Sequence, residues 1–162
     1  MALRSIRKQE EEILRKKSRE VVESDILLEK NQNLIDDMLE TMYHYNGVGL
    51  AAVQVGMLKQ IIVIDVEDGK EPYVLINPKI LKTKGSKECE EGCLSFPNEF
   101  GKVIRPTEVI VEYYDRKAKK VKLKAKDGII KVLEIQGENA KRMSIEDFLR
   151  GNSIKIGSIF KN

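Results

Sequence analysis

The sequence has one histidine, His44, in 162 residues. Any site that needs two or three imidazole ligands from one chain is therefore excluded. Only two cysteines are present, Cys89 and Cys93, so a disulfide scaffold is not the source of stability. Tryptophan is absent, and the four prolines and eleven glycines are too scattered to mark a linker. No purely apolar run exceeds four residues, the length reached at Ile61 to Ile64, whereas a membrane-spanning helix needs about 20. A net charge of +3 is the small difference between 29 Lys+Arg and 26 Asp+Glu, so charge gives no ground for a specific nucleic-acid partner.

What is present is the composition of a globular chain, 41% hydrophobic and 34% charged. At this length one domain, residues 1–162, is expected, with roughly 70% of the unfolded surface available for burial. Met1 to Lys17 is mostly charged and lacks the apolar segment of a signal peptide, so a cytoplasmic location with reduced cysteines is expected.

From Ser24 the apolar spacing is helical: Leu27, Leu28, Leu34, Ile35, Met38 and Met42 share a face, with Asp37 and Glu40 opposite. Ser24 reads as the N-cap of a helix of about 20 residues and Asn46-Gly47 as its stop. Gln60 to Val66 and Tyr73 to Ile76 read as strands, the second closed by Asn77-Pro78. Val109 to Tyr114 and Lys120 to Ala125 alternate apolar with polar around a turn at 115–119, an antiparallel hairpin with one wet face. One long helix followed by turn-connected strands predicts an α+β fold. Further on, Ile129 to Ile135 fits strand or helix, and Ser144 to Asp147 begins a short helix ending before Gly151.

Two segments carry candidate chemistry. Gly47 to Gln54 packs small residues into a loop that ends in an amide side chain, a group able to donate to a developing oxyanion. Glu90 to Pro97 places Cys93 between acidic residues and a Ser-x-Pro turn. Each segment alone also fits a plain packing role, a tight turn in one case and a small buried thiol in the other.

Together, in this order, they resemble the peptide deformylase family. The resemblance includes Leu3-Arg4, Ile6-Arg7, Leu14-Arg15, Met38 to Tyr43, Gln54-Val-Gly56, Val63-Ile-Asp65, Leu75-Ile-Asn-Pro78, Glu91-Gly-Cys-Leu-Ser95 and Arg105-Pro106, and runs to about Lys126. It implies antiparallel sheets around a C-terminal helix, with one long N-terminal helix. It also implies removal of the formyl group from the N-terminal formylmethionine of new polypeptides by a divalent metal held on one Cys and two His of a His-Glu-x-x-His helix. Such a metal lowers the pKa of its bound water towards ~7. By position, Cys93 would be the thiolate ligand, and Gln54 with the Leu94 backbone N–H would stabilise the oxyanion. Gly47 and Gly49 would meet the substrate backbone, and Arg105 would brace the loop through Glu91. Val53 stands where the family usually has proline.

The third motif departs from the family. Setting Gln136 to Lys141 against it keeps Glu138 as the acid–base carboxylate but puts Gly137 and Lys141 at the histidine positions. Setting Met143 to Leu149 against it keeps Glu146 and substitutes Ile145 and Phe148. The first placement is preferred for its distance from Cys93, and neither contains a histidine. His44 falls where the family has no ligand. A Cys89/Cys93/Glu138 metal site would need those cysteines close together. The Lys141 ammonium could instead occupy the vacated metal position and neutralise Glu138 or a Cys93 thiolate.

The expectation is therefore a deformylase-like protein without deformylase activity, with residues 127–162 divergent and binding of N-formylmethionyl peptides retained. No cofactor is expected, and a divalent iron, zinc, nickel or cobalt ion enters only with a rebuilt site. The alternatives are an active enzyme with such a site, and a decaying or frameshifted copy. Ribosome contact follows by family analogy only; a membrane partner is not expected.

Overall fold

The computed structural model describes residues 2–66 and 69–126. The expected elements at Ile129 to Ile135 and from Ser144, the enclosed C-terminal helix, and Gly137, Glu138, Lys141 and Glu146 lie outside the described residues. The described residues form an α+β fold of one α-helix and seven strands, paired only antiparallel.

Helix α1 spans Glu29–His44, starting later than the apolar spacing suggests. Ser24 lies in a separate 3-10 turn, Glu23–Asp25, and Leu28 takes the N-cap position. Side chains near the start of α1 explain the break. The Asn31 amide donates to the Asp25 carbonyl at 2.7 Å and the Gln32 amide to that of Ile26 at 2.8 Å, tying the turn to the helix instead of continuing it. Leu27 is consequently 62% exposed instead of facing the core. Leu34, Ile35, Met38 and Met42 do face it. Asp37 is also buried, where the spacing placed it in solvent, because its carboxylate receives the Ala2 N–H and the Arg4 guanidinium.

The main sheet has strand order β1-β2-β3-β6-β7, with β1 at Gly49–Ala51, β2 at Ile61–Ile64, β3 at Tyr73–Lys84, β6 at Glu108–Tyr114 and β7 at Lys120–Lys126. Strand β2 is apolar at every position because both of its faces are covered. Ile61 and Val63 pack with α1, Val74 and Ile76 on one side, while Ile62 and Ile64 pack with Leu75, Val109, Val111 and Tyr113 on the other. Strand β3 does not stop at Asn77-Pro78. It passes through a register shift there, with Asn77 at φ +51°, and continues to Lys84. The Asn77 side chain holds this irregularity by accepting from the Val21 N–H at 2.9 Å and donating to the Val21 carbonyl at 2.7 Å.

The remaining strands, β4 at Lys87–Cys93 and β5 at Phe96–Arg105, form a separate two-stranded sheet joined by the turn Leu94-Ser95. At the base of this hairpin Thr107 donates to the Lys84 carbonyl from both its N–H and its hydroxyl. The positive φ of Gly85 and the closeness of Thr107 leave no room there for a Cβ.

Candidate functional site

The glycine-punctuated segment folds as β1 followed by a 3-10 turn, Ala52–Val55, which Gly56 ends in the left-handed region at φ +81°. This turn carries Gln54 into the interior, where it is fully buried. Its amide has one orientation. The Ala51 N–H requires an acceptor, so Oε1 faces it at 3.0 Å, and Nε2 is left to donate to the Ser95 hydroxyl at 3.2 Å and towards Cys93 Sγ at 3.8 Å.

Cys93 ends β4 and is 1% exposed, and Leu94 and Ser95 of the following turn are buried too. A hairpin tip is ordinarily exposed; this one enters the main core through Leu94. Gly47 permits the entry, since a Cβ at that position would stand 3.0 Å from Leu94 Cδ1. Gly49 is buried at the start of β1, opposite Ile64. On the hairpin, Arg105 Nε and Nη2 donate to the two carboxylate oxygens of Glu91 at 3.2 and 2.9 Å, and both side chains are buried.

The structure thus brings together Gln54, Cys93, Leu94 and Gly47, with Glu91 and Arg105 on the hairpin that carries Cys93. Ser95 belongs to the quoted motif, but only its hydroxyl contact with Gln54 shows what it does. Cys89 does not join Cys93. Four residues apart on one strand, their Cα atoms are about 13 Å apart, too far to share one ion. His44 is exposed at the end of α1, its ring perpendicular to that of Tyr45 with the centroids 4.9 Å apart. Among the described residues no group of three or more His, Cys, Asp or Glu side chains could hold a metal ion. Among those residues, too, no helix is long and apolar enough to cross a membrane.

Fold and site together define an α+β protein with a thiol and an oriented amide enclosed at the seam between two antiparallel sheets. The family model described as polypeptide deformylase matches residues 3–134. Peptide deformylase 1 of Clostridium acetobutylicum is 53% identical over 127 residues, covering 78% of this chain and 81% of that protein. The peptide deformylase of Finegoldia magna is 53% identical over 116 residues, 71% of this chain and 70% of its own length. Among solved structures, the peptide deformylase of Legionella pneumophila superposes with a TM-score of 0.78 at 36% identity, covering 94% of this chain and 83% of that one. That of Synechococcus elongatus in complex with actinonin gives 0.75 at 35%, covering 91% and 84%. The chain belongs to the polypeptide deformylase family.

Proposed function

We propose that this family member binds N-formylmethionyl peptides without hydrolysing them. The carrying observation is the donor inventory. The family resemblance implies a metal on one thiolate and two imidazoles. This sequence holds one imidazole, on exposed His44 at the end of α1, and none in residues 127–162. The residues present do not fit that ligand set. The match to the family model also ends at residue 134, just before Gly137 and Lys141.

Retained binding draws on the rest of the site. Gln54 Nε2 and the Leu94 N–H are assigned as donors to the formyl oxygen, which accepts hydrogen bonds without a metal. Among the described residues β1 is an edge strand of the main sheet, and an extended peptide can add to such an edge beside Gly47 and Gly49. The Glu91–Arg105 pair is assigned the bracing of the Cys93 strand. Glu138 is assigned the place of the family's carboxylate and Lys141 a histidine position, in a divergent segment 127–162 of one domain.

The test has two arms. Purified protein should carry no stoichiometric divalent metal and release no formate from a formylmethionyl peptide after addition of iron, nickel, cobalt or zinc. About one metal per subunit with formate release would establish the second reading, an active enzyme, which the 53% identity to named deformylases favours. Binding should raise the melting temperature with peptide concentration, by about 1.4 kcal/mol of stabilisation near tenfold excess over Kd. No shift at millimolar peptide rejects it.

A further inference from the structure

The tip of the β4–β5 hairpin is held by a segment distant from it in sequence. Residues 2–9 form a strap across three elements. At its start the Ala2 N–H donates to Asp37 Oδ1 at 2.7 Å, the Arg4 N–H to Thr41 Oγ1 at 3.0 Å, and the Arg4 guanidinium lies 2.8 Å from Asp37, which fixes the strap to α1. Next, the Arg7 N–H donates to the Gln54 carbonyl at 2.7 Å. At its end the Gln9 N–H donates to the Ser95 carbonyl at 3.1 Å and Lys8 Nζ to the Leu94 carbonyl at 3.2 Å.

Gln54 follows β1 of the main sheet and Cys93 ends β4 of the other, and among the described residues no strand ladder joins those sheets. Three consecutive strap residues therefore bridge the seam on which the site is built. An isolated two-stranded hairpin is marginal in water, and weakly packed segments open locally before the whole molecule unfolds. Here both carbonyls of the turn are bonded by the strap. Two of the three bridging bonds use backbone N–H groups, which most residue types supply. The third requires a particular side chain, and a charged donor on a carbonyl is stronger than a neutral one.

We infer that Lys8 is a positioning residue, whose ammonium pins the Leu94 carbonyl and so holds the turn after Cys93 against the Gln54 loop. Cys93 reports on this directly. Because it is 1% exposed, alkylation by iodoacetamide requires the tip to open, while half-buried Cys89 on the same strand serves as an internal reference. Lys8→Met keeps the aliphatic stem and removes the donor. Cys93 labelling, resolved by peptide mapping, should rise on the order of tenfold, about 1.4 kcal/mol of opening free energy. Cys89 labelling should stay unchanged, and the melting temperature should fall by only about 3–6 °C, as the same 1.4 kcal/mol taken from global stability requires. Lys8→Arg restores a donor and should return Cys93 to the wild-type rate, and Lys16→Met, on an exposed lysine beside Glu12, should leave it there.

Wild-type labelling of Cys93 in Lys8→Met overturns the inference. So does a rise shared equally by Cys89, or one that Lys8→Arg fails to reverse, since either would show general loosening. Peptide affinity gives a further arm, which rests on the proposed binding: Lys8→Met should reduce the peptide-induced melting shift. If the wild type itself shows no shift, the binding proposal fails while the labelling still decides the role of Lys8.

Discussion

The five-stranded sheet and the β4–β5 hairpin are stabilised in different ways. In the sheet, β2 and the first half of β3 are covered on both faces by two apolar clusters, and fully buried side chains such as Ile62 and Leu75 each contribute about 1.5–3 kcal/mol. The hairpin is far more open. Phe100 and Ile104 are 59% and 66% exposed; among the described residues the hairpin is held by its buried tip and the Thr107 bonds at its base, while the Glu91–Arg105 pair ties its two strands together. The candidate site takes Gln54 from the firm region and Cys93 from the weaker one. Its precision is therefore set by the hairpin's anchorage and not by the sheet's core.

Five variants probe this contrast. The largest effect is expected from Glu91→Ala, which leaves the Arg105 guanidinium buried without its carboxylate and should cost about 3–5 kcal/mol in denaturant unfolding. Replacing both partners, Glu91→Leu with Arg105→Met, should recover most of that loss; a double variant as unstable as the single one would place the cost in packing. Leu75→Ala should cost about 3 kcal/mol by opening a cavity between β2 and β6, without raising Cys93 labelling ahead of global unfolding. Early labelling there would show that sheet and hairpin are not separable. Gln54→Leu leaves the buried Ala51 N–H without its acceptor and should cost about 1–3 kcal/mol while abolishing the peptide-induced melting shift.

The smallest effect concerns pH and the strap's anchor. Burial by itself would raise the Asp37 pKa, but the Ala2 N–H and the Arg4 guanidinium outweigh it and hold the carboxyl below its ordinary value of 3.8. A depressed folded-state pKa adds stability that is present above that ordinary value and is lost as pH falls through the lower one. Asp37→Asn should therefore flatten the acid limb of the stability curve and leave its slope near neutral pH unchanged. An unaltered acid limb in that variant would show that the strap's ion pair contributes nothing.

Much of the main sheet was legible because its signals are local. The run at Ile61 to Ile64 and the alternation in Val109 to Tyr114 and Lys120 to Ala125 report directly which faces are covered. The start of α1 was not legible, because the break after Ser24 depends on the Asn31 and Gln32 side chains reaching back across a turn. Nor was the hairpin legible as a whole. Lys87 to Glu91 is mostly charged and Pro97 interrupts β5, so neither strand carries the β-branched alternation that marks β6 and β7.

By itself the sequence determined the chemical inventory: one imidazole, two thiols and an amide in a glycine-rich loop. Inventory depends only on which residues are present. The tertiary structure alone decided which end of the Gln54 amide faces Cys93, that Ser95 receives its N–H, and that Lys8 and Gln9 stand against the Cys93 turn. Apart from the Ala51 N–H that orients the amide from three positions away, those facts rest on hydrogen bonds between residues about 40 to 86 positions apart, whose partners are chosen by packing and leave no periodic or local trace in the chain.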